Sequence, residues 1–584
     1  MNRAIADIAV APDHGGLLVL PRVPRQRLEI RALLERALSS RIRATPEGFE
    51  LPHGSASLLT TGAFAEPFQW TTDALRYVEN RTRINAHHNR VFARIQEIKS
   101  CDIREVKRLL GGSDDLAVLD EHQLRNVAAM TQPESWGLCV FDEQGVGKTV
   151  TFIYAFDFLC NNDLADVGLI VAPKSMVAEW PQDFSRFKRD LYKTVVLTGP
   201  TSKKMASLSK GGDVFVTNFE TVIAMERELT GLLRRYQNRA ILAVDESFFI
   251  KNPDAQRTQA MKRLREWCGR AFVLCGTPAP NAARDIIEQV NFVDCGATFD
   301  GFSIPEDEGA ARAAIADRLS TRGVFVRNLK RDVLPDLPAK SIHRIVIPLA
   351  PVQKQLYLSA LTNFKQDLLE TSDLTFRRNL TSFLARRSAM LQLCSNPVAV
   401  VDGYTETPTK FTALDALLAE LIRDHGEKIV LWSFYTKTID ALMVRYGEYQ
   451  PVRYDGQVTD INHRRVAVKN FQQDNETMLF IGNPAAAGAG LTLHRARTAI
   501  YESFSNQAAH YLQSVDRIHR RGQRRRAQYL VLLCEGTLEV QEFERLVRKE
   551  AAGYELLGNS PAETPTRESM LAEVLNSLSS LADV

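Results

Sequence analysis

Residues 142–149 read DEQGVGKT and lie between an apolar run, WGLCVF, and an amphipathic one, VTFIYAFDFL. Gly145 and Gly147 let the backbone turn its N–H groups toward phosphate oxygens, at a helix start that favours anions. In such a loop Lys148 reaches the outer phosphates of a triphosphate, and the Thr149 hydroxyl is placed to ligate Mg²⁺. Asp142 replaces the first glycine of the G-x-x-x-x-G-K-[ST] pattern, so a glycine turn bearing an exposed lysine is the alternative for this motif alone. In ILAVDESFFIKN, 241–252, Asp245 and Glu246 directly follow an apolar strand. That placement suits an acid that positions Mg²⁺ and a second that orients and deprotonates water. A surface turn can also carry two acids, but the upstream loop argues against it.

Two further stretches complete the set. GTPAPN, 276–281, follows another apolar strand, and Thr277 at its tip could bond the acidic pair or a strand of nucleic acid. By itself it is only a Gly/Pro turn. YLQSVDRIHRRGQ, 511–523, reads as one helix, in which Arg517 and Arg520 share a face at i and i+3. An arginine reaching a γ-phosphate from an opposite lobe couples closure to hydrolysis. A basic, solvated helix end is the weaker reading.

Positioning these groups requires strands that end in polar residues. GLIVAP (168–173), VFVTN (214–218), ILAVDE (241–246) and FVLCGT (272–277) are apolar runs separated by helical patterns. They predict a doubly wound parallel sheet with its chemistry at the carboxyl edge. KIVLWSF, PVRYDG, TMLFIGN, TAIYES and QYLVLL repeat the alternation between 428 and 533. The expected fold is therefore α/β: two doubly wound parallel-sheet lobes, a mainly helical inter-lobe region and an N-terminal accessory region. The expected boundaries are 1–112 for the accessory region, 113–300 for the first lobe, 301–405 for the helical insertion and connector, 406–555 for the second lobe, and 556–584 for a linker and amphipathic helix. Residues 1–110 show two Arg-rich helical patterns, and SIHRIVIPL (341–349) is an extended run within the connector.

The 584 residues suffice for roughly 3–4 folding units. Lys plus Arg number 73 and Asp plus Glu 70, a net charge of +3, so any polyanion site must be local. The basic runs VRNLKR (326–331) and RRGQRRR (520–526) are the places for one, although an isolated charge run is usually a solvated face. Eight cysteines without C-x-x-C pairs argue against structural zinc and for reduced thiols. No stretch reaches the ~18 apolar residues of a membrane span, and the N-terminus lacks the apolar core of a signal peptide. The expected setting is the cytoplasm.

The order of these motifs resembles the Swi/Snf-like DNA-translocating ATPases of helicase superfamily two, over residues 115–550. FDEQGVGKT is similar to their motif I, VAPKSMVAEWPQDF (171–184) to motif Ia, DESFFIKN to motif II, LCGTPAPN to motif III and DRIHRRGQ to motif VI. RNLKRDVLPDLPAK (327–340) and LAPVQKQLY (349–357) resemble the connector that separates this group from ordinary helicases. The resemblance implies ATP and Mg²⁺ as cofactors and double-stranded DNA as partner, with protein partners possible at the N-terminal region and C-terminal helix. It implies that Gln123, in LDEHQLRNVAAM (119–130), reads adenine, and that Lys174, Ser175, Asn218, Thr277, Ser433, Gly488 and Thr492 contact nucleic acid. The implied function is ATP-driven movement along duplex DNA that remodels or displaces bound protein. A strand-separating DNA or RNA helicase is the alternative, as is an ATP-switched subunit of a larger DNA-processing or defence complex. Two departures stand out. Phe248 occupies the motif II position where the family has a His that links the ATP site to motif III, and AAAGAGLTL (485–493) lacks the motif V Arg and carries Thr492 where Asn is usual. The compact core, without histone-reading modules, suggests a bacterial or phage origin.

Overall fold

Strands that are apolar at every position must be covered on both faces, and two parallel sheets flanked by helices do this here. The structure, a computed structural model, describes residues 4–11, 16–38, 42–51, 59, 67–112, 114–236, 238–279, 282–458, 460–486, 491–505, 508–555 and 566–582. The first sheet runs in the order Phe325–Val326, Gly137–Val140, Arg270–Leu274, Ala240–Asp245, Val167–Val171, Val214–Thr217 and Thr194–Val196, with every pair parallel. Its five inner strands, from Gly137–Val140 to Val214–Thr217, are buried at every residue. The second sheet runs Lys340–Ile347, Ala527–Cys534, Thr498–Tyr501, Ile429–Trp432, Leu479–Gly482 and Val452–Tyr454, again all parallel. The fold is α/β with two RecA-like lobes.

Three features differ from the pattern read in the sequence. The extended run 341–349 is no free connector: Lys340–Ile347 forms the edge strand of the second sheet, in register with Ala527–Cys534. Phe325–Val326 likewise returns to the first sheet beside Gly137–Val140. The N-terminal region also holds a five-stranded mixed sheet, Arg43–Ala44, Phe49–Leu51, Leu17–Pro21, Ala6–Val10 and Phe68–Trp70. Ile8, Val19 and Phe49 on that sheet pack with Ile30 and Leu34 of helix Arg27–Leu38.

Helix Thr72–Ser100 carries this region to the first lobe. Thr71 caps it, accepting the Ala74 N–H at 3.2 Å, and Val91, Ile95 and Ile98 enter the first lobe's core. In the second half, helices Pro351–Glu370, Leu380–Ser395 and Arg567–Ala582 form a separate helical core. The C-terminal helix spends its apolar face there: Met570, Val574 and Leu581 are buried with Tyr357 and Leu361. Among the described residues, no helix is long and apolar enough to cross a membrane.

Candidate nucleotide site between the two lobes

Strand Gly137–Val140 leads into the phosphate loop, which passes Gly145 at φ +86° and Gly147 at φ +101° before helix Lys148–Asn161 begins. A side chain at Gly147 would be strained by this φ, and its Cβ, 2.2 Å from Gln123 Nε2, would also displace the Gln123 amide. Lys148 Nζ donates to the carbonyls of Asp142 (2.9 Å) and Glu143 (3.3 Å) and to Gln144 Oε1 (3.3 Å), which holds its charge against the loop. Thr149, second in the helix, is half-buried. Gln123 is buried; its Oε1 accepts the Asp120 N–H at 3.0 Å and its Nε2 donates to the Val146 carbonyl at 2.9 Å.

Asp142, the residue that breaks the glycine pattern, is a clamp. Its buried carboxylate accepts from Asn126 Nδ2 at 2.6 Å and from the N–H and Nδ2 of Asn328, both at 2.8 Å. The loop is thereby fixed to helix Glu121–Met130 on one side and to the connector on the other. Burial raises the Asp142 pKa, opposed by the bonds from Asn328. No motif in the sequence marks Asn126 or Asn328 for this role.

Asp245 ends its strand with both oxygens engaged: Trp180 Nε1 donates to one at 3.1 Å and the Glu246 N–H to the other at 3.0 Å. Burial, then the neighbouring Glu246 charge, pushes its pKa up to about 7. Glu246 adopts a left-handed conformation, φ +50°, a strain of ~1–3 kcal/mol for a side-chain-bearing residue. Its Oε1 accepts from Gln144 Nε2 at 2.7 Å, and burial raises its pKa against the pull of Lys148. Buried acids with raised pKa at a strand end suit proton transfer.

The second lobe supplies the opposite wall, by a route other than the expected helix. Helix Ala508–Val515 stops one residue before Asp516, and Asp516–Arg520 are turns. The carbonyls a longer helix would need are taken elsewhere: that of Val515 by the Tyr529 hydroxyl at 2.6 Å, and that of Arg517 by the Leu493 N–H at 2.9 Å. Arg517 and Arg520 still converge, because an Nη1 of each donates to the Leu491 carbonyl, at 3.4 and 3.1 Å. Arg517 is 3% exposed, and its Nε and Nη2 have no partner among the described residues. Burial, then the Arg520 charge, pushes the Arg517 pKa down to about 10. Its charge in turn favours the ionised form of Glu246 in the other lobe.

The lobes meet tightly here. A Cβ at Gly145 would lie 3.4 Å from Arg520 Cβ. Lys330 Nζ donates to Asp516 Oδ1 at 2.5 Å and to the His519 carbonyl at 3.0 Å, while the Lys330 N–H donates to Glu143 Oε2 at 2.8 Å. The basic run 326–331 is therefore partly an inter-lobe strut, with Lys330 only 3% exposed, rather than a solvated face. A turn of left-handed glycines, a held lysine and a guanidinium with two unbonded, buried nitrogens together fit a polyphosphate.

The expected nucleic-acid contacts lie mostly at the carboxyl ends of strands. Lys174 and Ser175 are exposed after Val167–Val171. Asn218 follows Val214–Thr217 and caps a helix, accepting the Thr221 N–H at 2.9 Å. Thr277 Oγ1 is buried with no partner among the described residues. Ser433 is turned inward: it is fully buried, and its hydroxyl donates to Glu502 at 2.8 Å, so its side chain does not reach a surface strand. Thr492 is half-buried, and Gly488 lies outside the described residues.

Two protein families match the chain. Residues 122–399 match the SNF2-related domain, and residues 409–522 match the helicase conserved C-terminal domain. The chain thus carries an SNF2-related ATPase core. Among curated SNF2 relatives, it is 28% identical to a probable chromatin-remodeling complex ATPase chain of Oryza sativa subsp. japonica, over 70% of this chain and 38% of that one. It is 26% identical to the human SWI/SNF-related matrix-associated actin-dependent regulator of chromatin subfamily A member 1, over 69% and 40%. It is 25% identical to the DNA repair and recombination protein RAD54-like of Drosophila ananassae, over 73% and 60%. The chain thus spans 38% and 40% of the length of the first two SNF2 relatives it matches. A solved SNF2 structure, the Sulfolobus solfataricus SWI2/SNF2 ATPase core in complex with dsDNA, aligns with TM-score 0.35 at 19% identity, over 74% of this chain and 91% of that one.

Proposed function

We propose that the chain hydrolyses ATP between its two lobes and uses the cycle to move along double-stranded DNA, remodelling or displacing bound protein. The observation that carries this reading is Arg517, a buried guanidinium of the second lobe whose Nε and Nη2 have no partner among the described residues, and whose charge acts on Glu246 of the first. Lys148 and the loop N–H groups hold the phosphates, and Gln123, which donates to the Val146 carbonyl of the loop, reads the adenine. Glu246 orients and deprotonates the attacking water. Arg517 and Arg520 neutralise charge that develops on the transferred phosphoryl group, which requires closed lobes. Asp245 and Thr149 would hold Mg²⁺, which would offset the charge of the phosphates.

Lys174, Ser175, Asn218, Thr277, Gly488 and Thr492 supply the DNA track, and the Ser433 segment supports it from behind. Contacts of this kind go to the phosphate backbone, so binding is sequence-independent and falls steeply with added salt. The duplex can stay paired while the lobes step along it. The deciding experiment is a triplex-displacement assay beside a forked duplex of similar length. ATP should drive release of the third strand while the fork stays annealed. Efficient opening of the fork without triplex displacement would move the reading to a strand-separating helicase.

A further inference from the structure

Phe248 stands where the family has a His linking the ATP site to motif III, and its ring stacks on Phe249 with centroids 4.7 Å apart. A phenyl ring cannot make the hydrogen bond that a His would supply. The adjacent residue makes one instead. Ser247, next to Glu246, is fully buried, and its hydroxyl donates to Gln289 Oε1 at 2.6 Å. Gln289, also fully buried, lies on helix Ile287–Asp294. Its Nε2 donates to the Asp285 carbonyl at 2.7 Å and to the carbonyl of Pro278. A primary amide has two N–H donors, and both are used. The amide therefore spans from the residue after the general base to the turn 276–279, where the buried Thr277 hydroxyl has no partner among the described residues. The same turn touches the phosphate loop on its other side: a Cβ at Gly276 would lie 2.5 Å from Gln144 Cγ, and Gln144 holds Glu246.

We infer that Gln289, with Ser247, is a positioning residue that ties Glu246 to the turn 276–279, so that DNA engaging Thr277 sets the base for hydrolysis. The inference rests on the function proposed above, and it assigns to two buried polar residues the link that Phe248 cannot make. Neither side chain touches nucleotide. Their effect falls on how far DNA accelerates turnover, while ATP binding is the work of the loop.

The test compares the full chain with Ser247→Ala, Gln289→Leu and the double variant, measuring ATP turnover with and without duplex DNA, KM for ATP and thermal melting. Ser247→Ala removes only a hydroxyl and carries the test if Gln289→Leu fails to fold. Each single variant should cut the ratio of DNA-stimulated to DNA-free turnover by about 10-fold, inside the range typical of coupling between two sites. The double variant should be no worse than the more affected single one, because both residues serve one path. Gln289→Glu keeps an acceptor for Ser247 but loses donation to Pro278, and should resemble Gln289→Leu. A wild-type stimulation ratio in Ser247→Ala, with melting lowered in the Gln289 variants, would show a purely structural amide and overturn the inference. So would losses that multiply in the double variant. Absence of DNA stimulation in the unmodified chain would instead overturn the proposed function, and this inference with it.

Discussion

The two walls of the cleft are built on opposite principles. In the first lobe nearly every functional group is already bonded: Lys148 to loop carbonyls, Asp142 to Asn126 and Asn328, Asp245 to Trp180, Glu246 to Gln144. In the second lobe Arg517 is buried, two of its nitrogens have no partner among the described residues, and its pKa is pushed down to about 10. The first wall is a set of partnered groups on strand ends, whereas the second is a charge held ready in a turn. Groups of the first kind contribute to stability as well as to chemistry. A buried, unpaired charge costs stability and is retained for what it does.

Arg517 gives the largest expected effect. Arg517→Ala should cut stimulated hydrolysis ~10³-fold, with Lys a poor substitute because a point charge does not reproduce the guanidinium fork. Unlike most losses of function, this one should leave the nucleotide-free protein as stable as before or more so, as differential scanning calorimetry would show. A clear fall in melting temperature would contradict the contrast between the walls. Glu246→Gln should slow turnover by ~10²-fold or more while nucleotide binding persists, the scale of a lost general base. Wild-type turnover in that variant would remove Glu246 from the chemistry.

Asp142→Ala lies on the other side of the comparison. It strands the buried donors of Asn126 and Asn328, so it should destabilise the chain by about 1–3 kcal/mol in denaturant melts. Equal stability of Asp142→Ala and the unmodified chain would remove the clamp from the account.

The smallest effect is the pH dependence of Asp245, whose pKa rises from 3.8 to about 7 on folding. Between those values the folded chain binds more protons than the unfolded one, so this group's contribution to stability is full below 3.8 and is lost as pH rises through about 7. Mg²⁺ requires the ionised carboxylate, so Mg²⁺-dependent nucleotide affinity should change the opposite way, weakening as pH falls below about 7. Titration calorimetry across this range checks the sign, and Asp245→Asn should abolish the dependence.

The same contrast explains what could be read without a structure. Strands such as Val167–Val171, and Ala240–Asp245 up to its terminal acid, are apolar because both faces are covered, and that pattern is local to the sequence. The groups at their ends were legible for the same reason. The end of helix Ala508–Val515 was not, because Tyr529 and Leu493, distant in sequence, take the carbonyls that would extend it. The N-terminal sheet escaped notice because its strands are two to five residues long with mixed burial, which leaves little periodicity to detect. The Asn126–Asp142–Asn328 clamp and the Ser247–Gln289 bond join residues far apart in the chain, and no spacing rule announces such pairs.

The central claim is that one active site is assembled from both walls when duplex DNA is engaged. ATP turnover measured without nucleic acid, and with single strands, duplex DNA and duplex RNA, tests it directly when the unmodified chain is compared with Arg517→Ala/Arg520→Ala. Duplex DNA should stimulate the unmodified chain most, in a salt-sensitive manner, and the double variant should lose that stimulation while still binding nucleotide. Turnover indifferent to nucleic acid, or stimulation that survives removal of both arginines, would contradict the account.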